Sequence, residues 1–167
     1  ESAKRLLRKM LRSDRVPHAI LLTGPQGVGE GALALALARA VNCLAGGDEP
    51  CDACPSCHRI QALTHPDVHL LFPARRSRRE GEDVDPEEER KFLTALAADP
   101  YRYPIGGPSE GILIDRIRRL EGDLARGRYE GRRRVAILLE SERMRQEAAN
   151  ALLKTLEEPL PDTLLIL

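Results

Sequence analysis

The apolar positions of this chain follow two patterns that alternate along the sequence. A spacing of three or four residues predicts helices, and a short continuous apolar run bounded by turn residues predicts buried strands. Helical spacing occurs in segments 2–11, 112–127 and 146–159, and apolar runs occur in segments 19–23, 67–73, 135–139 and 163–167. Such alternation predicts an α/β fold, in which helices flank a parallel sheet. The run at 135–139 is apolar on both faces, which is typical of a strand covered on both sides.

Two further segments contain competing signals. Residues 32–41 alternate Ala and Leu with a period of two, which by itself indicates a strand. Because Ala and Leu favour helices and Ala is depleted in strands, we predict a helix there. Residues 74–107 contain a basic block followed by an acidic block with few apolar anchors. We therefore expect 74–107 to be a mobile insertion that contains one short helix at 91–100.

Composition limits the functions that the chain can have. The 26 basic and 26 acidic residues cancel, so no overall charge attracts the chain to nucleic acid or to an anionic membrane. No apolar run approaches the roughly 18 residues that span a bilayer, and no signal-peptide pattern is visible. We expect a cytoplasmic protein. Thiols stay reduced in that compartment, so the four cysteines are better interpreted as metal ligands than as disulfides.

The stretch GPQGVGEG has the spacing of a phosphate-binding loop, G-x-x-x-x-G-K-[ST], between an apolar run and a helix-forming run. Gly24, Gly27 and Gly29 keep its glycine character. Glu30 stands at the lysine position, however, and Gly31 stands at the hydroxyl position. An acid in place of a base repels a polyphosphate, and no hydroxyl remains to hold magnesium. We therefore predict a degenerate loop that does not bind ATP, in a chain without catalytic residues of its own.

The strand at 135–139 leads into a second acidic stretch. A magnesium-binding strand of this kind normally ends in an aspartate followed by a glutamate, whereas Glu140, Ser141 and Glu142 follow the strand here. We expect a solvated strand end rather than a metal site.

Four cysteines form a tight group with the spacing C-x7-C-x2-C-x2-C: Cys43, Cys51, Cys54 and Cys57. A C-x2-C pair brings two thiolates to one tetrahedral ion within a tight turn. Residues 43–57 are therefore predicted to form a small zinc-binding module, although an iron–sulfur cluster is compatible with the same ligands. Four thiolates close the coordination shell, so we expect a structural Zn²⁺ without a bound water. His58 is expected to be an exposed neighbour.

Several stretches, taken in order, resemble one protein family. They are RVPHAILLTGPQGVGEGALA, CLAGGDEPCDACPSC, HPDVHLL and EAANALLKTLEEP. Together they resemble the N-terminal AAA+ domain of the bacterial clamp-loader subunits of DNA polymerase III, the delta prime and gamma/tau subunits. ILIDRIRRLEGDLARGRYEGRRRVAILLE is similar to the helix and strand before that family's second acidic motif. The resemblance implies a P-loop-type AAA+ domain over residues 1–167, with the four-cysteine module inserted in it.

Within this family the resemblance implies a delta prime-like subunit of the DNA polymerase III holoenzyme. Gamma/tau subunits hydrolyse ATP and keep the lysine and the hydroxyl residue that Glu30 and Gly31 replace here. Delta prime is a non-hydrolysing stator that helps to load the sliding clamp in DNA replication and supplies an arginine finger to a neighbouring ATP site. We expect this chain to be a fragment that ends before the arginine-finger motif. The expected partners are the gamma/tau and delta subunits, with the sliding clamp and primed DNA reached through the complex and no membrane.

The stretch LLKTLEEP resembles the helix that faces a neighbouring subunit in this family. Lys154, Thr155 and Glu158 are therefore interface candidates, with a solvated helix end as the alternative. Two other functions remain open. One is an ATP-hydrolysing gamma/tau-type subunit with a divergent loop, which tight magnesium-dependent ATP binding would indicate. The other is a zinc-containing module that binds DNA directly, which a steep salt-dependent affinity for DNA would indicate.

Overall fold

The computed structural model of the chain describes residues 2–25, 27–75, 77, 84–103 and 111–167. The elements in those ranges are, in chain order, α1 (Ser2–Arg12), β1 (Ala19–Ile20), α2 (Glu30–Asn42), α3 (Pro55–Gln61), β2 (Val68–Leu71), α4 (Pro86–Ala98), α5 (Ile114–Ala125), β3 (Arg134–Leu138), a 3-10 turn (Ser141–Arg143), α6 (Gln146–Glu157) and β4 (Thr163–Ile166). None of the described helices has the length and hydropathy needed to cross a bilayer.

The strands form one sheet in the order β1-β4-β3-β2, and each neighbouring pair is parallel. The loops that follow the strands therefore meet at one edge of the sheet, its carboxyl edge. Strand β1 is shorter than the predicted 19–23, because its ladder covers only Ala19–Ile20, but the Leu22 N–H still donates to the Leu167 carbonyl oxygen at 2.7 Å. The predicted α/β fold with a parallel sheet flanked by helices is confirmed.

Apolar side chains on the two faces of the sheet form two separate cores. Val135 and Ile137 pack into the core that contains residues of α1, α2 and α4, whereas Ala136 and Leu138 pack into the core that contains residues of α5 and α6. All five residues of β3 are buried. The predicted strand with two covered faces is thus confirmed, and so is the helix predicted at 32–41, which lies within α2.

Two helices differ from the predictions. Helix α4 begins at Pro86, ahead of the short helix expected at 91–100. Asp85 caps it, because its carboxylate accepts hydrogen bonds from two backbone N–H groups of the first turn at 2.9 and 3.3 Å, and proline is well tolerated at the first helical position. Helix α3 has no counterpart among the predicted elements. The mobility of the segment 74–107 stays a prediction.

Two buried polar side chains hold the connection that leads into β3. Asp67, which is 2% exposed, accepts hydrogen bonds from three consecutive backbone N–H groups, those of residues 129–131, at 2.6, 2.8 and 2.6 Å. Asn42, at the end of α2, donates to the Arg133 carbonyl oxygen at 3.0 Å and accepts from the Arg133 N–H at 2.8 Å. These contacts fix the start of β3 relative to α2 and β2.

Candidate functional site

The glycine-rich stretch lies at the carboxyl edge of the sheet, where the chain passes from β1 into α2. Gly27 and Gly29 have φ angles of 81° and 97°, a left-handed backbone that glycine adopts without strain. A Cβ on Gly24 would lie 2.6 Å from Val28 Cγ1, so a side chain there would have to displace the valine. Gly29 caps α2, and its carbonyl accepts a hydrogen bond from the Leu33 N–H at 2.9 Å. The stretch therefore has the turned backbone at a helix N-terminus that phosphate-binding loops use.

A cavity of about 450 Å³ opens beside this stretch, against the ends of β3 and β4. Among its described lining residues, three are acidic (Glu30, Glu140 and Glu142) and none is a lysine or an arginine. The Glu30 carboxylate turns toward the glycines, since its Oε1 lies 3.9 Å from the place that a Cβ on Gly24 would take. Burial, and then these three carboxylates, raise the pKa of the Tyr103 phenol to about 12. The lining of the cavity therefore carries negative charge.

The chain after β3 is more enclosed than the solvated strand end that we expected. Glu140 has a left-handed φ of 50°, and its side chain is only 14% exposed. Its Oε2 accepts a hydrogen bond from Arg143 Nη1 at 2.8 Å, and this ion pair offsets part of the buried charge. The expected solvated strand end is not observed, because the 3-10 turn brings the Arg143 side chain back over the Glu140 carboxylate.

Two tyrosines that the sequence analysis did not single out lie against the glycines. A Cβ on Gly29 would be 3.0 Å from Tyr101 Cδ1, and a Cβ on Gly31 would be 2.7 Å from Tyr103 Cε1. Both tyrosines line the cavity. The available signal was the close pair of aromatic residues in a chain with three tyrosines and two phenylalanines.

The four predicted metal ligands converge in space. The Sγ atoms of Cys43, Cys51, Cys54 and Cys57 all lie within 4.8 Å of one another. A tetrahedral zinc ion with Zn–S bonds of about 2.3 Å requires sulfur separations of about 3.8 Å, so a small adjustment brings these atoms onto one ion. His58 is exposed, as expected, and its Nε2 lies 3.0 Å from the Asp52 carbonyl oxygen rather than beside the sulfurs.

Hydrogen bonds from backbone N–H groups to the sulfurs favour the binding of a cation. The Sγ atoms of three cysteines accept hydrogen bonds from the backbone N–H of the next cysteine in the set, at 3.4, 3.3 and 3.5 Å for Cys43, Cys51 and Cys54. Such hydrogen bonds lower the pKa of Cys54 to about 6, whereas burial raises the pKa of Cys57 to about 12. A metal ion would stabilise the thiolate form of the buried sulfur. The donor set therefore fits a soft metal ion such as Zn²⁺.

The interface candidates at the end of α6 face different surroundings. Lys154 and Glu158 are exposed. Thr155 is 8% exposed, and its hydroxyl donates to Glu121 Oε1 on α5 at 2.9 Å. In this structure Thr155 thus joins α5 to α6, and the assignment of all three residues to a partner interface stays a prediction.

Comparison with known proteins identifies the family of the chain. The family described as "DNA polymerase III, delta subunit" matches residues 1–167. The DNA polymerase III subunit delta' of Haemophilus influenzae is 33% identical over 150 residues, which are 90% of this chain and 36% of that protein. The corresponding subunit of Bacillus subtilis is 31% identical over 98% of this chain and 39% of that protein. The chain thus spans little more than a third of the length of these curated relatives.

Relatives of a second type also match. The DNA polymerase III subunit gamma/tau of Mycoplasma pneumoniae is 25% identical over the whole chain and 19% of that protein. A crystal structure of a DNA polymerase III gamma subunit-related protein from Thermotoga maritima is similar over 60% of this chain and 34% of that chain, with 24% identity and a TM-score of 0.34. The match over all 167 residues shows that the chain belongs to the DNA polymerase III delta-subunit family, and the two delta prime subunits named above are 31–33% identical to it.

Proposed function

We propose that this chain is the N-terminal region of a delta prime-like clamp-loader subunit that does not bind or hydrolyse ATP. It would act as a stator for neighbouring subunits of the DNA polymerase III complex. The observation that supports this most directly is the acidic cavity beside the glycine-rich stretch, where Glu30 occupies the lysine position. The delta prime relatives support the type of subunit.

The charges in the cavity disfavour a triphosphate strongly. Two unit charges about 4 Å apart interact by about 4 kcal/mol at an effective dielectric constant of about 20. With Glu30 in place of lysine, that attraction becomes a repulsion. Glu140 and Glu142 add to the repulsion, while Arg143 offsets a part of it. Because about 1.4 kcal/mol is a tenfold change in affinity, the loss amounts to several orders of magnitude. Gly31 also offers no hydroxyl to magnesium.

The four cysteines are proposed to hold one structural Zn²⁺. When bound, the ion would link the end of α2, through Cys43, to the start of α3, through Cys54. Four thiolates fill a tetrahedral shell, so no coordination position is left for a reacting water. The ion would therefore contribute to folding and not to chemistry.

The proposed partners are the gamma/tau and delta subunits, and through them the sliding clamp and primed DNA. The match to gamma/tau proteins gives the alternative, an ATP-hydrolysing subunit, a specific basis. The two functions differ in one measurable property, which is saturable binding of Mg-ATP to the glycine-rich stretch.

Titration calorimetry with Mg-ATP, run beside a gamma/tau subunit that has the loop lysine, tests the proposal. We expect no saturable binding up to about 1 mM nucleotide, which corresponds to a binding free energy weaker than about −4.1 kcal/mol. One-to-one, magnesium-dependent binding at micromolar concentration would instead support the ATPase alternative. The stator role requires a reconstituted loader, in which omitting the subunit stops clamp loading and Glu30→Gln leaves the loading rate unchanged.

A further inference from the structure

The backbone conformation of residue 31 does not require a glycine. It lies in the first turn of α2, has no left-handed φ and is buried. Glycine weakens a helix relative to alanine, so this residue needs another explanation. The structure supplies one, because a Cβ at this position would lie 2.7 Å from Tyr103 Cε1 and 3.4 Å from Leu139 Cδ2. Real Cβ atoms do not approach carbon atoms so closely as the first of these distances.

The tyrosine that fills this space is held from behind by a stack of aromatic rings. The Tyr103 ring meets Phe92 of α4 edge-to-face, with 5.6 Å between centroids, and Phe92 stacks on Phe72 at 3.7 Å. Phe92 is 8% exposed and Phe72 is 2% exposed. Tyr103 is therefore anchored to the core through α4 and the end of β2, and it does not rest on the glycines alone.

The turn between α4 and Tyr103 is also ordered by specific contacts. The Asp99 N–H donates to the Ala95 carbonyl oxygen at 2.9 Å at the end of α4. Asp99 Oδ1 accepts a hydrogen bond from the Tyr101 N–H at 2.9 Å, and the Asp99 carbonyl oxygen accepts from the Arg102 N–H at 3.1 Å. This turn brings the Tyr101 ring to Gly29, where a Cβ would lie 3.0 Å from it.

We propose that α4 and residues 99–103, here named the tyrosine cover, form a built-in occupant of the degenerate phosphate loop. Tyr103 takes the volume that the side chain of the hydroxyl residue needs in a working loop, and Tyr101 packs on the capping glycine. The cover rests on the proposed function and deepens it, since the tyrosine rings add a steric restriction at residues 29 and 31 to the repulsion by charge. It also gives part of the segment 74–107 a role.

The cover predicts that a side chain at residue 31 and the Tyr103 ring are mutually exclusive. A double-mutant cycle with Gly31→Ala and Tyr103→Ala, read as the melting temperature of the intact chain, tests this without any nucleotide. We expect Gly31→Ala to lower the melting temperature by about 3–10 °C when Tyr103 is present. In the Tyr103→Ala background, the same change should have no effect or raise the melting temperature.

Two controls keep the cycle decisive. Tyr103→Phe retains the ring, so Gly31→Ala should remain destabilising in that background. Gly122→Ala, in helix α5 with nothing within 4 Å of the added Cβ, should be neutral or stabilising in every background. If Gly31→Ala alone gives no folded protein, its recovery by Tyr103→Ala and not by Tyr103→Phe is the same positive result. Equal effects of Gly31→Ala in all three backgrounds would overturn the cover.

Mg-ATP binding by variants of the loop tests the tyrosine cover separately from the proposed function. Glu30→Lys with Gly31→Thr restores the loop chemistry, and we expect at least tenfold tighter Mg-ATP binding when Tyr103→Ala is added to that pair. No gain from Tyr103→Ala would contradict the cover. Tight Mg-ATP binding by the unaltered chain would contradict the proposed function, whereas the stability cycle would still decide whether the ring and a residue-31 side chain exclude each other.

Discussion

Replacing Asp67 by asparagine tests how the start of β3 is held. The Oδ1 of Asp67 accepts one backbone N–H and its Oδ2 accepts two, at 2.8 and 2.6 Å, in a site that is 2% exposed. Asparagine keeps one carbonyl oxygen but replaces the other oxygen with an NH₂ group. The favoured orientation places the amide oxygen at the Oδ2 position, which keeps two contacts, and one backbone N–H group, that of Tyr129, then faces a donor.

The magnitude follows from that one unsatisfied N–H group. A buried donor left without an acceptor costs about 1–3 kcal/mol, so Asp67→Asn should lower the free energy of unfolding by about 1–3 kcal/mol at pH 7. Asp85→Asn is the matched control, because Asp85 accepts two N–H groups through a single oxygen at the N-terminus of α4. Asparagine is as good an N-cap as aspartate, so this control should cost less than about 0.5 kcal/mol.

Urea unfolding followed by circular dichroism measures the free energy of unfolding of both variants. The comparison requires that the dependence of this free energy on urea concentration is unchanged. The cost should also depend on pH. Burial alone would raise the pKa of Asp67, but the backbone N–H groups outweigh it and lower the pKa below 3.8. The ionised carboxylate thus stabilises the fold above pH 3.8, and this stabilisation is lost as the pH falls through the lowered pKa. Equal costs for the two variants at pH 7, or a cost that does not shrink below pH 3.8, would refute the reasoning.

Three further predictions concern the metal centre and α6. Cys54→Ser should abolish stoichiometric zinc binding measured by elemental analysis, and His58→Ala should not; zinc retained by the serine variant would argue against the four-sulfur site. Chelation should increase amide hydrogen exchange in α1 more than in α5, since Arg12 of α1 pairs with Asp48 of the cysteine segment at 2.8 Å; uniform exchange in both helices would contradict this. Thr155→Val should lower stability by about 1 kcal/mol in thermal unfolding, because it removes the hydrogen bond to α5, and an unchanged stability would show that this bond contributes nothing.

The regular elements were predictable where the local pattern and the tertiary environment agree. Strand β3 is buried throughout and apolar from Val135 to Leu138 because both of its faces are covered, and the sequence displays this directly. Helix α3 escaped prediction because its N-cap is Cys54, whose sulfur accepts from the Cys57 N–H, and cysteine is not among the usual capping residues. The early start of α4 had a usable signal: Asp85, then Pro86, then three glutamates in the first turn.

The candidate site was likewise predictable only where the residues are close in sequence. The glycines of the loop are close to one another in sequence, and so are the four cysteines. The spacing alone was therefore enough to predict each of these two groups. The tyrosine cover contacts glycines about seventy residues earlier in the chain, and no local pattern reports such a contact. Its traces in the sequence were the close pair of tyrosines and a glycine in the first turn of an otherwise Ala- and Leu-rich helix.

The most direct test of a loop closed to nucleotide follows the backbone amides of Gly27, Gly29 and Gly31 by NMR while Mg-ATP is added. These amides would contact the phosphates in a working loop. The account predicts that their shifts stay unchanged up to millimolar nucleotide. Saturable, magnesium-dependent shifts confined to these amides would contradict it.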